Sequence, residues 1–214
     1  MCDKVNLQYL PNHFDKLENI LNVLEVGSYD INGNWKKFIE KKGLEYLGID
    51  VKSGPGVDKV CDITDDIKII NKKLGYKQFD LIICMNVLEH LYEPIKALNN
   101  MRDLLRTGGY LVIATPIVWD LHEWPHDFYR LNPDFYKKYM EDNKFKILDD
   151  TFLFSVRQTK KFYSDTNILP EINRHIYKKR LVRVIVKFIA KFVPELRHCW
   201  THMHLNLICQ KENS

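Results

Sequence analysis

Short apolar runs alternate with amphipathic stretches along this chain, and that rhythm constrains its fold more than any other feature. Residues 22–26 (NVLEV) end at Gly27, and residues 45–49 (EYLGI) end at Asp50. Residues 79–84 (FDLIIC) run into Met85 and Asn86, and residues 110–114 (YLVIA) into Thr115 and Pro116. Each run is short, rich in β-branched or aromatic residues and closed by polar or turn residues, which predicts four strands. Residues 34–42, 66–74 and 94–106 lie between them with helical character, the last stopped by Gly108-Gly109. Strands apolar on both faces that alternate with helices imply an α/β fold, with a parallel sheet covered on both sides.

After Pro116 the rhythm changes. An irregular aromatic stretch, residues 117–131, leads to Asn132-Pro133-Asp134, which reads as N-cap, first helical position and first-turn acid. Two more strands are predicted at 145–154 and 203–210, with a helical insertion at 155–201 between them. A length of 214 residues suits one domain, 1–214, carrying that insertion. With 45% hydrophobic and 28% charged residues the chain is not disordered, and no repeat period is visible. The net charge of +4 does not by itself argue for nucleic acid. It is unevenly placed: residues 1–154 carry 20 basic and 24 acidic groups, residues 155–214 carry 12 and 4. Five cysteines without CxxC spacing argue against a zinc site or a disulfide framework and fit a reducing, cytoplasmic setting. The first residues lack the apolar core of a secretory signal, and no run of 18 uncharged apolar residues predicts a membrane span.

Ligands of open α/β sheets sit beyond the carboxyl ends of the strands, so those residues carry the functional reading. Gly27, after the first strand, lets backbone approach a ligand, and the helix beyond offers free N–H groups. Tyr29 and Asn32 break a GxGxxG spacing, so a pyrophosphate cradle is not expected. Asp50 lies 23 residues after Gly27, where a carboxylate accepts hydrogen bonds from both hydroxyls of a ribose. Asp62 follows the short pair Lys59-Val60; an acid there suits an exocyclic amine, with a backbone N–H reading the ring nitrogen. Each residue alone also reads more plainly, as a turn or a cap. The ordered set is harder to obtain by chance.

VLEVGSYDINGN, YLGIDVKSGPGVDKVCDI, FDLIICMNVLEHL and MRDLLRTGGYLVIATP resemble the successive motifs of class I S-adenosylmethionine-dependent methyltransferases. The similarity spans roughly residues 22–154, and 203–210 resembles the closing strand. VLEHL and PHDFYRL resemble the branch encoded with glycan and polysaccharide biosynthesis enzymes. The resemblance implies a Rossmann-like, mostly parallel sheet of seven strands with helices on both faces and the last strand antiparallel. It implies S-adenosylmethionine as cofactor. Glu25, Gly27 and Ser28 would hold its methionine part, Asp50 and Val51 the ribose, Asp62 and Ile63 the adenine, and Asn86 would lie beside the sulfonium. One departure is Ile31, where the usual acidic-x-Gly-x-x-x-Gly motif has glycine; Gly33 follows two residues later. The chemistry agrees with the resemblance: the cofactor presents an amine, two ribose hydroxyls and an adenine amine, and three carboxylates match these donors.

Methyl transfer from a sulfonium is an in-line displacement governed by positioning, and a hydroxyl acceptor must also lose its proton. Two clusters qualify. Glu89-His90 follows the run 79–84; helix-end packing is its plainer reading, and no metal is expected, a divalent ion on Glu89, His90 and Glu93 being the lesser alternative. Trp119, His122, Trp124, His126, Asp127, Tyr129 and Arg130 form the second cluster, whose plainer reading is a loop folded on its own tryptophans. His126 is the expected base, with Asp127 orienting it or Arg130 holding an anionic acceptor; His122 and His90 are its rivals. Trp119, Trp124, Tyr129 and Arg130 are expected to bind the acceptor, aromatic faces suiting sugar rings.

Residues 176–193 (IYKKRLVRVIVKFIAKFV) place Arg180, Arg183, Lys187 and Lys191 on one stripe against a broad apolar face. Such a helix packs on its own domain, on a second subunit as a homodimer, or on an anionic membrane surface. The expected protein is a cytoplasmic O-methyltransferase, at most peripheral at the inner face of the membrane. Its expected partner is a small polar glycan-related acceptor: a sugar, sugar nucleotide or phosphorylated surface-polysaccharide precursor. Nucleic acid is not expected. The alternatives are methylation of another small metabolite, including at nitrogen, or a non-catalytic module of glycan assembly.

Overall fold

Every residue of the apolar run 79–84 is buried, and the fold is arranged around it. A computed structural model describes residues 5–31, 33–123, 125–157, 161–164 and 202–212. Its strands are β1 (Asn22–Val26), β2 (Glu45–Asp50), β3 (Lys59–Val60), β4 (Phe79–Met85), β5 (Leu105–Val118), β6 (Phe145–Ile147), β7 (Leu153–Val156), β8 (Lys161–Tyr163) and β9 (Met203–Lys211). The helices are α1 (Tyr9–His13), α2 (Lys36–Lys41), α3 (Ile67–Leu74), α4 (Pro94–Leu104) and α5 (Pro133–Asp142). All strands join one sheet in the order β3-β2-β1-β4-β5-β9-β7-β8, with β6 also on β9.

Strands β1 to β5 run parallel. β9 is antiparallel to β5, as expected of the closing strand, and β8 is antiparallel to β7. Alternate residues of β4 feed two cores. Ile82 and Cys84 pack with Ile70 of α3, Leu98 of α4 and Tyr136 of α5; Leu81 and Ile83 pack with Leu10 of α1 and Ile39 of α2. This two-sided burial is why the runs read as continuously apolar rather than alternating.

Caps form where polar side chains reach free amides, at Asn132 as expected and also at Asp66. Asp66 accepts from Lys68 N at 2.8 Å, and Gly75, left-handed at φ 78°, closes α3. Asn132 accepts from Phe135 N at 3.0 Å, with Pro133 opening α5. Gly108-Gly109 does not stop a helix. α4 ends at Leu104 because Leu105 is already extended and buried, paired with Phe79 of β4, so both glycines lie inside β5.

The expected strand 145–154 is two strands, β6 and β7, both paired with β9. That division and β8 bring the count among the described residues from the expected seven to nine. The segment expected to be helical from residue 155 opens as a hairpin, since Ser155 and Val156 pair with Phe162 and Lys161. The stripe Arg180, Arg183, Lys187 and Lys191 lies outside the described residues, as does Trp124. No helix among the described residues is long and apolar enough to cross a membrane.

Asp80 locks the start of β1 to the sheet centre. Its Oδ2 accepts from Leu21 N and Asn22 N, both at 2.9 Å, and its Oδ1 binds Arg106, which also donates to Asn19 O at 2.9 Å. Burial would raise this carboxyl's pKa, but Arg106 and the two amides outweigh it and hold it below the ordinary value. Asp80→Ala is expected to cost about 2–4 kcal/mol in urea unfolding at neutral pH, since three donors lose their acceptor. Because the folded pKa is lowered, this contribution is complete above the unfolded value, about pH 4, and is lost as pH falls through the lower folded value. The gap between wild type and variant should therefore narrow in acid; a constant gap down to about pH 2 would remove the carboxylate from the account.

Gly27 has φ 77°, and a Cβ there would stand 2.2 Å from Val87 Cγ2. Gly27→Ala is expected to cost about 1–3 kcal/mol from strain and overlap, read as a lowered thermal midpoint.

Candidate active site

The carboxyl ends of β1, β2 and β4 and the turn after β3 meet along one edge of the sheet. Gly27 N and Ser28 N donate to Ile49 O at 2.9 and 3.0 Å, which folds the turn after β1 onto β2. Asp30 N reaches Pro55 O at 2.8 Å, and Asp30 Oδ1 accepts from Gly33 N at 2.8 Å. Tyr29 covers Gly54, where a Cβ would stand 2.2 Å from its ring.

Glu25, expected at the methionine part of a cofactor, is committed to this frame through one oxygen. Its Oε2 accepts from Trp35 N at 3.0 Å and from Tyr46 Oη at 2.6 Å, tying β1 to α2 and β2. Burial pushes its pKa up to about 7 in spite of both bonds.

Asp50 and Asp62 remain presentable. Asp50 caps its own turn, accepting from Tyr29 N at 3.4 Å and Lys52 N at 3.1 Å, and Val51 beside it is exposed. Cys61 N donates to Asp50 O at 2.8 Å, which brings Asp62 next to the end of β2. Asp62 receives Thr64 N and Oγ1 on Oδ1 alone, at 2.8 and 2.7 Å. Ile63 is buried, its carbonyl held by Asn100 Nδ2 at 2.7 Å.

Asn86 is buried and left-handed at φ 58°, a conformation that non-glycine residues take at some cost. Its N–H donates to Ala114 O at 2.7 Å, which pins the end of β4 to β5. A buried polar chain continues from it: Asn6 Nδ2 to Asn86 Oδ1 at 3.4 Å, Ser155 Oγ to Asn6 Oδ1 at 2.5 Å, and Asn206 Nδ2 to Ser155 Oγ at 3.0 Å. Nothing local in the sequence marks Asn6, Ser155 or Asn206, since distant pairing brings them together.

The aromatic loop is fastened to the 3-10 turn Leu88–His90 that follows β4. Glu89 O accepts from Phe128 N at 2.8 Å and Tyr129 N at 3.3 Å. His90 Nδ1 donates to His126 O at 2.6 Å, and Tyr129 Oη donates to Tyr92 O at 3.2 Å. His90 and His122 meet edge to face, with ring centroids 4.8 Å apart.

Asp127 orients His122 rather than His126. Its Oδ2 accepts from His122 N at 3.0 Å and lies 3.2 Å from His122 Nδ1, while Arg130 grips both carboxylate oxygens. Arg130 chiefly holds the Asp127 pKa down at about 2. Arg130 also donates to the carbonyls of Tyr129, Trp119 and Asp120, so its guanidinium serves the loop and not a free anion. His126 is exposed, its ring 6.2 Å from that of Phe128. Trp119 lies against His202 and His204, at centroid distances of 4.3 and 4.7 Å, and beneath Arg157. Burial pushes His204 down to about 3. These two histidines escape a sequence reading because the β5–β9 pairing brings them to Trp119.

Residues 2–148 match the methyltransferase-domain family. Among curated proteins no sequence is significantly similar to the chain. Solved structures share its fold at low identity. The [4+2]-cyclase SpnF aligns with a TM-score of 0.57 and 15% identity, over 93% of this chain and 78% of that one. Phosphoethanolamine N-methyltransferase 2 of Haemonchus contortus, in complex with phosphomonomethylethanolamine and S-adenosylhomocysteine, aligns at 0.55 and 15%, over 97% of this chain and 52% of that one. The O-methyltransferase of a Brevibacillus brevis polyketide synthase, with S-adenosylhomocysteine, aligns at 0.52 and 11%, over 91% and 67%. A cyclase among them shows that the fold alone does not assign a reaction. The family match, which covers most of the chain, does: this chain belongs to the methyltransferase-domain family and is an S-adenosylmethionine-dependent methyltransferase.

Proposed function

We propose that the chain methylates a hydroxyl of a small, polar, glycan-related acceptor on the cytoplasmic side of glycan assembly. The observation that carries this reading is the aromatic and histidine-rich loop fastened over the turn after β4, next to Asn86. In this reading Asp50 takes the ribose hydroxyls, Asp62 and Ile63 the adenine, and Asn86 lies beside the sulfonium. An apolar groove of about 300 Å³ lined by Tyr92, Pro94, Tyr129, Leu131 and Phe135 adjoins the loop. Aromatic surface of this kind suits the apolar face of a sugar ring. The engagement of Arg130 by Asp127 favours contact with the neutral part of an acceptor over an anionic one.

In the transfer, the acceptor oxygen bonds to the methyl carbon as the carbon–sulfur bond breaks, and sulfur leaves as a neutral thioether. The hydroxyl proton goes to the histidine face. His122 has the geometry of a base: Nδ1 donates to Asp120 O at 3.1 Å and faces Asp127, leaving Nε2 with its lone pair. N-methylation of a small metabolite is the second reading, favoured by the Haemonchus enzyme's likeness. The assembled Asp50, Asp62 and Asn86 speak against a non-catalytic module.

Asp50→Ala is expected to weaken S-adenosylhomocysteine binding by about 1.5–3 kcal/mol in calorimetry, through loss of charge-assisted ribose bonds. Unchanged affinity in a folded variant would remove that role. Across a panel of sugar and sugar-nucleotide acceptors, His122→Ala should lower kcat by roughly 10²–10⁴ while cofactor affinity holds, and His126→Ala should cost much less. The reverse order would return the proton to His126, and turnover only with amines would favour the second reading.

A further inference from the structure

We propose that Glu89, His90 and His122 form a divalent-cation site on the acceptor side of the β4 end. One donor atom from each lies within 4.8 Å of the others. The Glu89 side chain is 1% exposed, and neither of its oxygens has a hydrogen-bond partner among the described residues. The Asn86 side chain and the Glu89 backbone N–H favour its charged form, but neither brings a counter-charge. A carboxylate buried in this state is costly, and only a cation or a proton relieves it. Arg130 is the nearby basic side chain, and Asp127 already holds it through both oxygens.

The histidines are arranged as ligands. His90 Nδ1 must donate, because its partner is the carbonyl of His126, so His90 Nε2 carries the lone pair. That Nε2 is buried without a partner, 3.8 Å from Glu89 Oε1. His122 is set the same way by Asp120 O, with Asp127 behind it. Backbone or carboxylate acceptors on the far nitrogen are the usual supports of metal-binding histidines. A separation of 3.8 Å is too long for a shared proton, yet it suits two atoms each bonded at about 2.0–2.2 Å to one ion. Donors up to 4.8 Å apart must close by about half an ångström to stand on opposite sides of one ion and by about 1.2 Å for a tetrahedral set, a shift within reach of side-chain rotation. Two imidazoles and one carboxylate favour manganese, iron, cobalt or zinc over magnesium or calcium, and they leave coordination positions for water or an acceptor.

The existence of the site does not depend on the acceptor; its use in methyl transfer rests on the hydroxyl reading. The base role given to His122 above belongs to the cation-free form; with the ion bound its lone pair is engaged as a ligand, the cation polarises the acceptor oxygen as a Lewis acid, and the proton leaves to water.

The test titrates Mn²⁺ into chelator-treated, dialysed full-length protein, following loss of the free-ion EPR signal, with S-adenosylhomocysteine calorimetry alongside. One equivalent should bind. Glu89→Gln and His90→Ala should each weaken binding at least roughly 30-fold, with the melting temperature and S-adenosylhomocysteine affinity kept. Wild-type protein that binds no Mn²⁺, Co²⁺ or Zn²⁺, or variants that bind as wild type does, would overturn the site. Loss of S-adenosylhomocysteine binding in wild type would instead strike the cofactor assignment and leave the metal result to stand alone.

Discussion

β4 has no exposed residue along its length, and its neighbours β1 and β5 cover both its edges. A strand closed in this way can present polar groups only where it ends. At that end Asn86 is bent into the left-handed region and its N–H is tied to Ala114 O. The backbone thereby turns out of the sheet and delivers Glu89 and His90 within four residues. The ends of β1 and β2 follow from the same frame, since Gly27 and Ser28 dock on Ile49 and Cys61 docks on Asp50. The placement of each candidate group is a consequence of how the central strand is buried.

What was legible in the sequence was local. Apolar runs of five or six residues between turn signals located β1, β2, β4 and the middle of β5, because two-sided burial leaves an unbroken apolar string. Asn132 was legible as a cap because a cap is decided within three residues. Gly108-Gly109 misled because the pairing of Leu105 with Phe79, a contact across 26 positions, overrode the local helix stop. The expected strand 145–154 divided for a similar reason. Thr151 turns its hydroxyl to Leu148 O and Ile208 O, a bond to a residue 57 positions away.

At the candidate site the residue types were legible and their partners were not. Asp127 stands next to His126 in sequence, yet its carboxylate points to His122 and Arg130, at five and three residues' distance. Adjacent side chains in an extended loop diverge, and those a few positions apart converge when the loop folds back. Glu25 shows the same limit. Its position at the end of β1 was plain, but Trp35 and Tyr46 claim one of its oxygens. Recognition of the ribose and adenine then falls more heavily on Asp50 and Asp62, whose bonds are confined to their own turns and the neighbouring loop.

Two carboxylates under the aromatic loop divide the electrostatic work. Asp127 has Arg130 on both oxygens and a pKa held down at about 2, so it is a fixed anion that sets the His122 tautomer. Glu89 sits in the same neighbourhood with its oxygens unpaired, and burial pushes its pKa up. The difference follows from reach: Arg130, three residues from Asp127, commits its terminal nitrogens to that carboxylate and to three carbonyls, and acts on Glu89 only as a charge without a bond. A structural role alone would be met as well by glutamine, which needs no counter-charge. An acid kept in this position, facing two imidazoles whose far nitrogens are both fixed, is instead suited to carry a charge that arrives from outside the chain.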